Sequence, residues 1–106
     1  MAKFLIEASY TLDGTKGLLK EGGTGRRTAV EQAIKALGGK LEMFYFAFGK
    51  TDVFLVVDLP DAVSAAAVSL TVNAAGGAKV TTIPLMNPEE MDAATKKSVQ
   101  YRAPGR

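Results

Sequence analysis

The stretch Lys16 to Arg27, KGLLKEGGTGRR, places four basic side chains on glycine-rich backbone just ahead of a helix start: Lys16, Lys20, Arg26 and Arg27. Free N–H groups and the helix dipole favour an anion at such a place, so these four are candidate ligands for a phosphate or carboxylate. The run Gly22-Gly23-Thr24-Gly25 is not followed by Lys-Ser or Lys-Thr, so it is not a Walker motif, and it does not match the dinucleotide fingerprint either. The same residues also suit a glycine-broken loop whose charges are solvated or paired with Glu21 and Glu31.

A second group is Glu7, Ser9, Tyr45 and Asp52, which strand alternation can bring to one face of a sheet. Enclosed between two sheets, they would be a few polar groups in an apolar cavity, the usual make-up of a small-molecule site. Burial there would disfavour the charge on Glu7 and let it act as an acid or base. Such a site suits a small cofactor-free enzyme, isomerase or oxygenase-like, using Glu7, Tyr45 or Asp52. The competing expectation is that Glu7 and Asp52 pair with Lys or backbone groups across an interface.

The chain contains neither Cys nor His. That removes disulfides, thiolate nucleophiles, thiol or imidazole metal ligands and every imidazole-based triad, and no metal or organic cofactor is expected. Net charge is only +2 over 106 residues, and outside Lys16–Arg27 the signs are interspersed, which argues against nucleic acid as a partner. The row Phe44, Phe46, Phe48 lacks the flanking basic pattern of a base-stacking platform and reads as core. The opening MAKFLI runs straight into Glu7, without the apolar centre of a signal peptide. The weakly polar run from Ala62 to Ala75 is too short and too polar to span a bilayer, so a cytoplasmic protein is expected.

The elements that must position these residues follow from periodicity. Lys3–Tyr10 reads as a strand, and Asp13–Lys20 as a short helical turn, with Gly22, Gly23 and Gly25 interrupting it before a better helix begins. A helix is predicted over Arg26–Leu37, capped by Thr24, with Ala29, Val30, Ala33, Ile34 and Leu37 inward and Gly38-Gly39 as its stop. Leu41–Phe48 and Val53–Leu59 read as an antiparallel strand pair joined at Gly49–Asp52, with Phe44, Phe46 and Phe48 on one side of the first and Leu41, Met43, Tyr45 and Ala47 on the other. A second helix starts at Pro60-Asp61 and is predicted to turn Ala62, Val63, Ala66, Ala67, Leu70 and Ala74 to the sheet. Ala78–Leu85 is the fourth strand, and Asn87-Pro88-Glu89-Glu90 starts a tail helix reaching about Val99. Residues 1–100 thus read as one domain and 101–106 as a frayed tail.

This order predicts an α+β, ferredoxin-like βαββαβ sandwich: a four-stranded antiparallel sheet, both main helices on one face, and an extra C-terminal helix. Val53, Leu55, Val57 and Leu59 suit the helix side, which leaves Phe54, Val56 and, from the first strand, Leu5 on the other. Each such side chain gains roughly 1.5–3 kcal/mol from full burial, so the open face calls for a cover. A second copy of the chain, as homodimer or higher homo-oligomer, is the expected one. The alternative is the protein's own tail helix, whose apolar stripe is Met91, Ala94 and Val99.

The segments Ala8-Ser9-Tyr10-Thr11, Lys16 to Gly23, Arg26-Arg27 and Gly38 to Glu42, together with Phe44 to Gly49, Asp52-Val53 and Val57 to Asp61, resemble the GYD domain family of small bacterial proteins. The resemblance covers nearly the whole chain. It implies a subunit similar to the dimeric α/β barrel proteins, which pair their sheets face to face. It implies little about activity, because one fold hosts many. The family signature at the hairpin, Gly, any residue, Tyr, Asp, is Gly49-Lys50-Thr51-Asp52 here, so Thr51 stands where the family has Tyr and no role of that phenol carries over.

Overall fold

The computed structural model describes residues 1–106, in the order β1 (Ala2–Tyr10), α1 (Leu12–Glu21), α2 (Gly23–Ala36), β2 (Lys40–Phe46), β3 (Val53–Leu59), α3 (Ala62–Ala75), β4 (Ala78–Leu85) and α4 (Pro88–Thr95). The strands form one sheet in the order β2-β3-β1-β4, with every neighbouring pair antiparallel. This is the ferredoxin-like α+β arrangement, with α1 and α4 added to the two crossover helices.

The centre of the sheet alternates strictly. Phe4, Ile6 and Ala8 of β1 and Val53, Leu55, Val57 and Leu59 of β3 are buried beneath the helices, where Ile34 of α2 and Ala65 of α3 join them. The residues between them, Leu5, Phe54 and Val56, are only half-buried on the other face. The β3 register pairs Val57 with Phe4 and Leu55 with Ile6, so matched apolar pairs run down the middle of the helix side.

Four expectations are corrected. The stretch after Tyr10 is a full helix of ten residues, α1, because the Thr11 side chain accepts the Gly14 N–H and caps it. The following helix begins at Gly23 with Gly22 before it, and Thr24 is not its cap; Gly22 has φ +83° with extended ψ, a backbone open mainly to glycine that lets the chain break α1 and start α2 without a loop. In β2 the register slips between Leu41 and Met43, so Leu41 shares the helix face with Phe44 and Phe46, while Phe48 lies beyond the strand and fully in solvent.

The fourth correction concerns α3. It turns Ala65, Val68 and Val72 inward and leaves Val63 (77% exposed), Leu70 (71%), Ala62, Ala66, Ala67 and Ala74 outside. Its sequence, AVSAAAVSLTVNAA, is small and apolar on every side, so spacing carries no phase; the Asp61 cap on the Ser64 N–H and the left-handed Gly76 fix its two ends instead.

The C-terminal part does not fold back. Every residue from Met86 to Arg102 is exposed, including Met91 (52%) and Val99 (79%), so the tail helix does not cover the open face of its own subunit. The molecule extends 56 × 33 × 23 Å with a radius of gyration of 16.8 Å, against about 13 Å for a compact chain of about 100 residues. Asn87 and Glu90 close a reciprocal capping box that lets α4 form without support from the body. No helix is long and apolar enough to cross a membrane.

Candidate functional site

The two groups of residues singled out from sequence fall on opposite sides of the sheet. Glu7, Ser9 and Tyr45 lie on the open face. Glu7, Phe54 and Tyr45 form one row across β1, β3 and β2, which sets Glu7 and Tyr45 two strand spacings apart, roughly 10 Å between their Cα atoms. No hydrogen bond joins the two within this subunit, where Thr51 is the side-chain partner of Glu7.

The hairpin loop takes up most of the polar capacity of this group. Thr51 donates its hydroxyl to Glu7 Oε1 at 3.5 Å, and Ser9 donates its own to the Lys50 carbonyl at 3.0 Å. The Asp52 carboxylate accepts the Tyr10 N–H at 2.8 Å, while its backbone bonds Ala8 and Ala47. These bonds tie the β2–β3 loop to the end of β1. Tyr45, 65% exposed, stands apart from them. Thr51, in the family's Tyr position, thus serves as a partner for Glu7.

At the other end of the open face, Lys3 bridges Glu42 and Asp58. Asp58 is held below the ordinary carboxylate range by the Lys3 ammonium, which hydrogen-bonds its Oδ1 at 3.0 Å, and by the nearby Lys40 charge, against the opposing effect of burial. Lys3 is pushed above its ordinary value by the same two carboxylates. With Lys40 paired in register to Asp58, this corner contains two cations and two anions. It is neutral as a unit.

The basic stretch splits between two helices. Lys16 and Lys20 belong to α1 and Arg26 and Arg27 to α2, joined through Gly22. Arg26 pairs with Glu21 at 3.4 Å, whereas Lys16, Lys20 and Arg27 make no ion pair. Lys20 and Arg26 stand on the lining of a cavity of about 630 Å³ between the helices and the sheet, and Lys16 and Arg27 do not.

That cavity went unseen in the sequence because it is a space between elements. α2 packs along β2 and α3 along β4, and the cavity runs between the two helices above strand residues that are themselves buried. Its floor is Ile6 and Ala8 of β1 with Val53 and Leu55 of β3; its walls are Val30 and Ile34 on one side and Val68 and Val72 on the other. α1 closes one end. Thr11 donates its N–H and its hydroxyl to the carbonyls of Gly77 and Gly76, and Gly14 lies so near Gly77 that a Cβ there would sit 1.8 Å from the Gly77 carbonyl oxygen. The Tyr10 phenol faces the same space and is raised above its ordinary value by burial, partly offset by the Arg26 charge, so it keeps its proton as a donor.

An antiparallel β2-β3-β1-β4 sheet with two crossover helices on one face defines a ferredoxin-like domain. The GYD domain family matches residues 4–95, from the first buried residue of β1 through the last of α4, and the chain belongs to that family. Neither a curated protein nor a solved structure matches it.

Proposed function

We propose that this GYD-domain protein is a homo-oligomeric binding module, in which a second copy covers the open sheet face and the assembly holds a small anionic or aromatic ligand. The observation that carries this reading is the open face itself: Leu5, Phe54, Val56 and Ile83 lie side by side across three strands, with Met43 beside them, and no element of the chain covers them.

Charge argues for a second copy as the occupant. The corner of Lys3, Lys40, Glu42 and Asp58 is self-neutralised, so two identical faces related by a two-fold axis meet without an uncompensated field. A nucleic acid or a strongly charged protein would gain little there. Four strands of about seven residues present a patch of roughly 450 Å², about half of the roughly 800 Å² per partner that a standard interface buries. The projecting arm, with Met86, Met91, Val99 and Tyr101 exposed, supplies further apolar surface for the same partner.

The test is a charge placed in the middle of that face. Phe54→Lys sits opposite Glu7, so the isolated subunit tolerates it, while two such faces repel each other. Native mass spectrometry is expected to show an oligomer for the parent and a subunit of unchanged circular dichroism for the variant. Val56→Lys serves as a second probe at the neighbouring row. Unchanged stoichiometry in both folded variants would refute the face as the interface.

A further inference from the structure

We propose that the cavity between α2 and α3 is a binding site for a small carboxylate with an apolar body, held inside each subunit rather than between subunits. This goes beyond the oligomeric reading and does not depend on it, since every lining residue comes from one chain.

Size and lining come first. The volume of about 630 Å³ falls within the roughly 300–1,000 Å³ typical of small-molecule sites, and 14 of its 21 lining residues are hydrophobic. Protein interiors are normally packed to near-crystalline density, so an opening of this size over the centre of a sheet needs a cause. The cause is in the sequence: six of the lining positions are Gly or Ala, among them Gly14, Gly17, Ala75 and Gly77 around the end that α1 closes. The Thr11 and Gly14 contacts to Gly76 and Gly77 fix α1 as that end wall, so the side chains present do not fill the space.

The polar groups then set the ligand's charge. Lys20, Glu21 and Arg26 are the ionised residues on the lining, a net excess of one positive charge. Lys20 has no ion-pair partner, and Arg26 makes a single contact with Glu21 at 3.4 Å, both side chains being part-exposed, which leaves most guanidinium donors free. Tyr10 is on the same lining and is the aromatic residue there that carries a hydroxyl donor. An apolar body against Ile6, Leu55, Val68 and Val72 with a carboxylate at Lys20 and Arg26 satisfies both halves of the site. A neutral analogue would leave the cations unused, and a hydrophilic anion such as phosphate would leave the apolar walls wet.

Isothermal titration with octanoate, and with 1-octanol as its neutral counterpart, tests the proposal on the intact protein. The expected result is one octanoate per chain, with octanol at least tenfold weaker. Lys20→Ala combined with Arg26→Ala is expected to remove that preference while octanol binding persists. Val72→Phe, which fills the apolar wall, is expected to abolish both, and Ala75→Leu repeats the test should Val72→Phe fail to fold. The open-face variant Phe54→Lys is expected to bind octanoate like the parent, whatever its oligomeric state. Absence of octanoate binding to the parent, equal binding of octanol, or binding that survives the filling variants but falls in Phe54→Lys would each overturn the assignment.

Discussion

The two faces of this sheet are built from the same two central strands with the same kinds of residue, yet they end in different states. On one face Phe4, Ile6, Leu55, Val57 and Leu59 are buried; one residue along, Leu5, Phe54 and Val56 are half-exposed. Alternation has placed large apolar groups on both sides, and what differs is the cover. The helix side has two helices, α2 along β2 and α3 along β4, which bury the inner strands and leave a cavity between themselves. The open side has none, because the tail that might have crossed it projects away. A strand's composition therefore states that both faces are to be covered, and says nothing about what covers them.

The largest effect that sharpens this contrast lies on the covered side. Leu59 and Val57 are completely buried, and Leu59→Ala should cost about 2–5 kcal/mol through lost burial and the cavity left behind. The urea midpoint should fall by the same amount at every protein concentration. A loss that grew on dilution would mean that Leu59 acts through association, and the two faces would not be separable as described.

A smaller effect of opposite sign lies on the same face. The Thr82 hydroxyl is buried without a hydrogen-bond partner, opposite Ile6 in the register. Thr82→Val replaces it with a methyl of similar size and should raise stability by about 1 kcal/mol, read as a higher urea midpoint with an unchanged slope. A drop would show that the hydroxyl finds a partner in solution.

The smallest effect belongs to the open face and is seen through pH. Asp58 has a folded-state value below its ordinary 3.8, so the stability it contributes is present above about pH 4 and is lost as pH falls through the lower folded value. Urea midpoints measured from pH 6 to pH 2 should decline less steeply in Asp58→Asn than in the parent. Parallel curves would mean that the Lys3–Glu42–Asp58 corner contributes nothing measurable, as many exposed pairs do not.

The strands were the most legible part of the chain. Val53–Leu59 and Ala78–Leu85 are bounded by turn residues and match the observed β3 and β4 end to end. Features that depend on one element touching another were hidden. Gly14 and Gly17 look like helix breakers, yet α1 runs through them, Gly14 because α1 must approach Gly77 closely. The two-residue crowding at Glu42 and Met43 turns half of β2 over, and no residue type announces it. The rotation of α3 was unreadable because alanine suits every face. Of the candidate site residues, Lys20 and Arg26 could be singled out as cations near a helix junction. That they border an apolar cavity, with Tyr10, Val68 and Val72 on its lining, follows only from the spacing of α2 and α3.

The central claim is that the uncovered sheet face is closed by a second copy of the chain. Sedimentation equilibrium of the intact protein, followed from millimolar to micromolar concentration, tests it most directly. The account predicts a mass of at least two subunits that persists on dilution, with subunits appearing only at the lowest concentrations; a single subunit, stable and soluble across the whole range, would contradict it.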